Sequence, residues 1–252
     1  MTVQIGVALH KEYTLFEDPL YLPVWVGAAL RGKAPQGWQR DDEGENISEK
    51  NPGYCELTAH YWLWKHSGAD GIGLCHYRRY FSARRLGPRE KRVLTLAQAQ
   101  ALLGDADALL PKKRHYWIET NESHYIHAHR AEDLAACRRA VAAVGGGAYL
   151  AAFDTVMRRR SGHRFNMLVM RRSLFCAYSE WLFSVLAEAE RELEGAGRST
   201  PRVYGFLAER LLDVWLEVNR PRVKELPVMN LESQHWPKKI AAFLKRKLRA
   251  GR

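Results

Sequence analysis

Residues 70–81, DGIGLCHYRRYF, read as a buried strand that turns abruptly into chemistry. Gly71, Ile72, Gly73, Leu74 and Cys75 are small or apolar, as a strand covered on both faces requires. The five residues that follow, His76 to Tyr80, carry an imidazole, two guanidinium groups and two phenols. Open α/β sheets bind ligands outside the carboxyl ends of their strands, so this stretch predicts a parallel strand with a site at its end. The plainer alternative is a basic surface turn with Tyr77, Tyr80 and Phe81 as ordinary core.

Other stretches repeat the pattern. Residues 3–9 (VQIGVAL) form an apolar, β-prone run that ends in His10 and Lys11. Residues 107–111 (DALLP) read as another buried strand, followed by Lys112, Lys113, Arg114, His115, Tyr116 and Trp117. Further strands are expected over 165–170 and 223–230. Helices are expected over 46–64, 96–103 with Thr95 as cap, 134–144, 149–157, 173–193 and 201–218. The glycine run 145–147 ends one of them, and residues 20–30 read as a packed connector. Strands and helices alternate, which predicts one α/β domain with a mainly parallel sheet over residues 1–236.

Composition narrows the function. Of the 252 residues 46% are hydrophobic, and the formal charge is +11. Seven Lys or Arg and no acid fall within 237–252, so most of that excess lies in the tail and a general nucleic-acid binder is disfavoured. In the tail Ile240, Phe243, Leu244 and Leu248 share one helical face, which suits an anionic membrane surface. No apolar run approaches the ~20 residues of a spanning helix, and the start of the chain lacks a signal-peptide pattern. A cytoplasmic protein is expected. Cys55, Cys75, Cys137 and Cys176 lie far apart, with no CxxC pair, and read as buried thiols.

The strand-end residues suit a diphosphate: arginine grips it with two parallel hydrogen bonds, lysine as a point charge. Aromatic neighbours can stack on a base or a sugar. A nucleotide sugar uses all of these features. The donor-binding candidates are His10, Lys11, Asn46, Lys50, Asn51, His76, Tyr77, Arg78, Arg79, Lys112, Lys113 and Arg114. Tyr116, His124, His127 and Asn166 are candidates for sugar or acceptor. Asp154, Glu119, Glu209 and His76 are candidates for the base that deprotonates an acceptor hydroxyl, although Asp154 and Glu209 could equally pair with arginines on their own helices. The dinucleotide glycine pattern and the phosphate loop are both absent. His124, His127 and His129 match no standard metal spacing; with a metal they would suit a phosphoesterase, the competing enzyme reading beside a nucleic-acid-binding module.

Three ordered segments carry a resemblance: NISEKNPGYCELTAHYWLWK with IGLCHYRRYF; LLPKKRHYWIET with SHYIHAHRAEDL; and FDTVMRRRSGHRFNMLVM with YSEWLF and YGFLAERLLDVWL. They are similar to the bacterial capsular and exopolysaccharide glycosyltransferase family formerly catalogued as a domain of unknown function, which includes galactofuranosyltransferases. The resemblance implies a GT-A-like fold and an inverting hexosyl transfer from a UDP-sugar to a lipid-linked glycan acceptor. Many such enzymes hold a divalent metal with an Asp-x-Asp motif where this chain has Cys75-His76-Tyr77-Arg78. The literal match, Asp105-Ala106-Asp107, precedes a strand and reads as a helix-to-strand turn, so a divalent metal is possible but not favoured.

Overall fold

The computed structural model of the chain describes residues 1–232. The expected tail helix within 237–252 lies outside the described residues. In order come β1 (Val3–Leu9), β2 (Tyr21–Trp25), α1 (Ala28–Arg31), β3 (Gln39–Arg40), a 3-10 turn (Ser48–Lys50), α2 (Asn51–Tyr54), α3 (Leu57–His66), β4 (Gly71–His76) and β5 (Arg79–Phe81). Then follow α4 (Arg89–Arg92), α5 (Leu96–Asp105), β6 (Ala108–Pro111), β7 (Arg114–His115), α6 (Asn121–Ile126), α7 (Ala131–Arg158) and β8 (Ser161–Gly162). The described part ends with β9 (Leu168–Arg171), α8 (Arg172–Gly195), α9 (Val203–Asn219), β10 (Val223–Leu226) and β11 (Val228–Asn230).

One mixed sheet runs β10-β6-β9-β4-β1-β2-β3, with β5 hung on β4 and β11 on β5. The pairs β1–β2, β1–β4, β2–β3 and β6–β10 are parallel, while β9 runs antiparallel between β4 and β6. The expected α/β architecture with a mainly parallel sheet is therefore present. Because β9 is reversed, its amino end lies at the same edge as the carboxyl ends of β1 and β4, and the loop before β9 joins that edge.

Side-chain alternation sorts the core into two layers. Ala8, Ile72, Leu74, Ala108, Leu110, Leu168 and Met170 face a layer built from α3, α7, α8 and α9. Val3, Ile5, Val7, Leu9, Cys75, Leu109 and Val169 face the other side, against Ala99 and Leu103 of α5 and the rings of Tyr77, Tyr80 and Phe81. Both faces being covered explains the short apolar strands. It also explains Gly73, where a Cβ would stand 2.6 Å from the Leu168 carbonyl oxygen of β9.

Several expectations need correction. Residues 20–30 are not a simple connector, because β2 lies within them; Pro23 is tolerated because β3 pairs only with Val24 and Trp25, leaving Pro23 on a free edge. The helix expected over 46–64 is broken at Cys55, whose φ of 52° lies in the left-handed region. The glycine run does end a helix, as expected: Gly146, with φ 69° and ψ −163°, is non-helical and divides α7 into two helical stretches. The late strand splits at Pro227 into β10 and β11. Only Cys75 and Cys137 are buried; Cys55 and Cys176 are partly exposed. Taken as one span, α7 has the length and apolar composition to cross a membrane, but Gly146 divides it and no run of 20 apolar residues is present; it packs against α6, α8 and α9. Thr95 does cap α5, with Gln98 closing a capping box.

Two tests follow from the core. Gly73→Ala forces a methyl group into the β9 backbone, which cannot yield as a side-chain tip would, and should lower the unfolding free energy by about 3 kcal/mol in urea melts. His60 is buried in α3, stacked on Phe175 at 4.6 Å and hydrogen-bonded through Nε2 to Ser179 Oγ at 2.8 Å. Burial pushes its pKa down to about 3 from 6.5. The folded state therefore resists a proton that the unfolded chain accepts. The stability contribution is intact above pH 6.5 and falls by about 1.4 kcal/mol per pH unit below it. His60→Gln should remove that share of the slope when urea midpoints are compared at pH 7, 6 and 5.

Candidate functional site

The loop entering β9 shapes the site. Phe165 has φ 79° and Asn166 φ 50°, two consecutive non-glycine residues in the left-handed region. Such backbone persists only where its surroundings hold it, and it concentrates at functional sites. Here the Phe165 amide donates to Glu209 Oε1 of α9 at 3.2 Å, and the Phe165 carbonyl accepts from His76 Nε2 at the end of β4. Asn166 Nδ2 donates to Glu56 Oε1 at 2.7 Å and to the Gly205 carbonyl at 3.0 Å. One short loop thus ties together the end of β4, the junction of α2 and α3, and the first turns of α9.

Cations converge beside it. His10 leaves β1, and its pKa is lowered by burial and then by the positive charges of Arg31, Lys11, Arg78 and Arg202. The Tyr77 ring is buried between them: His10 packs edge-on at 5.2 Å, Lys11 Nζ lies 5.3 Å from the ring centre and the Arg78 guanidinium 5.7 Å. Arg79 stacks on Phe165 at 4.5 Å. Its pKa is lowered by burial and by Arg78, and its Nε is buried with no hydrogen-bond partner among the described residues. A buried guanidinium donor without a protein partner is placed to bond an acceptor from outside the chain, a water or a ligand. Arg31 is oriented by the Val26 carbonyl at 3.0 Å and by Asn51 Oδ1 at 3.1 Å. Arg202, at φ 66° before α9, stands near the Cys55 thiol and its charge favours the thiolate, although burial still raises that thiol's pKa to about 11.

Three carboxylates border the cations. Glu209 has one oxygen on the Phe165 amide and the other 3.2 Å from Arg210, so both are committed. Glu232 pairs with Arg78 at 3.2 Å on the rim. Glu56 is mostly buried, held by Asn166 through Oε1, and that oxygen lies 4.0 Å from His76 Nε2. With Nε2 directed at the Phe165 carbonyl, Nδ1 is the nitrogen of the His76 ring that is left to accept. The arrangement can grip a dianion with guanidinium and ammonium groups while a carboxylate and an imidazole stand beside it to take a proton.

Of the sequence candidates, His10, Lys11, His76, Tyr77, Arg78, Arg79, Asn166 and Glu209 come together here. Asn51 contributes by orienting Arg31. The others go elsewhere. Asp154 is gripped on α7 by Arg138 through two hydrogen bonds of 2.7 and 2.8 Å, so it is a helix-pairing residue, and Arg138 holds its carboxyl below the ordinary range. Lys50 pairs with Glu190 of α8 at 2.6 Å. Asn46 folds back onto the carbonyls of Asp42 and Gly44, organising its own loop.

Lys112, Lys113 and Arg114 do leave the sheet at the same edge, but β9 stands between β6 and β4 and separates them from His10 and Arg78. They border a second cluster. There Tyr116 is buried, accepting from Arg164 Nε at 2.9 Å and stacked on His124 at 4.1 Å. Burial and then Arg210 lower the His124 pKa to about 4. Glu119 is held by His127 Nδ1 at 2.8 Å, and His129 stacks on Phe206 at 4.1 Å. The three histidines of the phosphoesterase reading thus point to three different partners. Among the described residues no three His, Cys, Asp or Glu form a metal-holding group.

Glu56, Arg31 and Arg202 were not among the sequence candidates. Glu56 had a signal, a lone acid between the buried Tyr54 and Leu57 where the helical face should be apolar. Arg31 and Arg202 had none, being placed by tertiary folding from far along the chain.

No curated protein matches the chain. Among solved structures, the apo structure of the bifunctional glycosyltransferase WbbM superposes with a TM-score of 0.83 at 31% identity. The match covers 92% of this chain but 46% of that one, so the chain spans about half of WbbM. A family model described as a domain of unknown function, DUF4422, matches residues 4–220, and the chain belongs to that family.

Proposed function

We propose that the protein is a glycosyltransferase that moves a hexose, galactose or galactofuranose, from a UDP-sugar to a lipid-linked glycan acceptor in capsule, exopolysaccharide or O-antigen synthesis. The carrying observation is the set of cations around the ends of β1 and β4, with the unpartnered Arg79 Nε among them, in a chain that resembles half of a bifunctional glycosyltransferase. A diphosphate leaving group develops negative charge, and prearranged guanidinium groups stabilise it without reorganising. Arg78, Arg79, Lys11, Arg31 and Arg202 fill that role, which a divalent metal fills elsewhere; metal-independent transfer is the form this reading takes. In an inverting transfer the acceptor hydroxyl attacks the anomeric carbon from the face opposite the departing diphosphate while a base takes its proton; Glu56 is the group we assign, supported by His76, because Glu209 has both oxygens engaged. The enzyme acts at the inner face of the cytoplasmic membrane, where the basic residues of 237–252 suit the anionic surface.

Mutation separates these roles. Arg78→Ala and Arg79→Ala should each abolish transfer and weaken UDP-sugar binding with the melting curve preserved; near-normal turnover in both would reject the site. Glu56→Gln should lower kcat by roughly 10²- to 10⁴-fold while donor affinity is retained, whereas Asp154→Asn should leave kcat unchanged. The His10 environment predicts proton uptake. Its pKa is lowered in the free site by burial and neighbouring cations, and a bound diphosphate offsets those charges and raises it again. UDP-sugar affinity should therefore increase as pH falls from 7.5 to 6. Calorimetry in two buffers of different ionisation enthalpy should register a proton taken up, and the uptake should vanish in His10→Asn.

A further inference from the structure

The second cluster carries an unusual tip. Trp117 is 90% exposed and Ile118 61%, adjacent in sequence. They are not on a loose loop. The Tyr116 amide donates to the Arg160 carbonyl at 2.7 Å, β7 pairs with β8, and the Tyr116 ring is locked beneath by Arg164 and His124. On the other side Thr120 caps α6, and the Asn121 amide donates to the Arg159 carbonyl at 2.8 Å. A large aromatic and a branched aliphatic side chain are thus held out in water from two fixed points.

The surroundings are basic. Lys112, Lys113 and Arg114 are exposed just before the tip, and Arg160 shares a shallow cleft with His115, Tyr116 and Trp117. None of these four cations forms an ion pair among the described residues. The neighbouring Glu119 is occupied by His127.

We propose that this tip docks on an anionic lipid surface. Trp117 and Ile118 enter the boundary between headgroups and acyl chains, and Lys112, Lys113, Arg114 and Arg160 meet the lipid phosphates. Tryptophan is favoured at that boundary, and basic residues beside apolar ones add electrostatic attraction to anionic headgroups. Ile118 decides against a glycan as the occupant, since stacking on a sugar face uses flat rings and a β-branched aliphatic offers none. The tip lies at the sheet edge where β6 ends, the same edge as the candidate site, so docking turns that edge toward the membrane. This contact is separate from the one suggested for residues 237–252.

The test uses the full chain in co-sedimentation with phosphatidylcholine vesicles, with and without phosphatidylglycerol. Binding is expected only to the anionic vesicles. Trp117→Ala/Ile118→Ser should lower the partition coefficient roughly tenfold or more with an unchanged melting curve, since both side chains are exposed. Lys112→Gln/Lys113→Gln/Arg114→Gln should lower it on the order of a hundredfold at low salt and flatten its salt dependence. Failure of the full chain to bind anionic vesicles would overturn the proposal, and so would unchanged partitioning in the Trp117/Ile118 variant. Normal vesicle binding in that variant with a raised KM for a water-soluble acceptor would make the tip a glycan platform and also overturn it. Partitioning needs no turnover, so loss of the transferase reading would leave this result standing.

Discussion

The candidate site depends on two residues whose backbone is held in the left-handed region. Phe165 and Asn166 form the reversal that lets β9 enter the sheet antiparallel between β4 and β6. Each such conformation costs on the order of 1 kcal/mol in a non-glycine residue, so its persistence requires compensating bonds. Those bonds come from Glu209, His76, Glu56 and the Gly205 carbonyl. The groups that restrain the loop thus include the groups proposed for proton transfer. The same reversal puts the Phe165 ring under Arg79, so one loop sets the position of carboxylate, imidazole and guanidinium together.

Just before this loop the chain is fixed by charge in the interior. Arg164 is buried, donating to Tyr116, to the Glu209 carbonyl at 3.1 Å and to Asp213 at 3.4 Å. Asp213 also receives the His163 amide at 2.9 Å and the His163 ring. A buried ionic group is costly to leave unpaired, so this network is all-or-none and anchors one end of the loop to α9. It also links the two clusters mechanically, because Arg164 touches Tyr116 on one side and precedes Phe165 on the other. The catalytic and membrane-facing assignments therefore rest on one rigid span of residues.

Much of the architecture was legible because both layers of the core impose clear patterns. The alternation in β1, the small-residue run of β4 and the apolar stripes of α8 and α9 follow from burial alone. The gathering of cations at the end of β4 was also legible, because cations after a buried strand have little structural reason to be there. What could not be read depends on distant partners. The break at Cys55 and the placement of Arg31 and Arg202 arise from tertiary packing, and β2 was hidden by Pro23, which removes a donor that only a free edge can spare. Lys112 to Arg114 looked like part of the same site because strand direction predicts the edge but not the order of strands along it. Asp154 looked chemically apt, yet an arginine sixteen residues earlier, across the break in α7 at Gly146, engages it fully.

The last described strand has a further bearing on how the molecule is made. Arg79 belongs to β5, and β5 is completed by β11, whose Asn230 lies opposite Arg79 and whose neighbour Leu231 bonds the Arg78 carbonyl at 3.0 Å. During translation the segment holding both arginines leaves the ribosome early and waits for a partner made some 150 residues later, since domains fold as units and not residue by residue. A nascent chain stalled before that point would carry its cations without the strand that aligns them. Assembly of the cationic edge is thereby deferred until nearly all of the described chain exists.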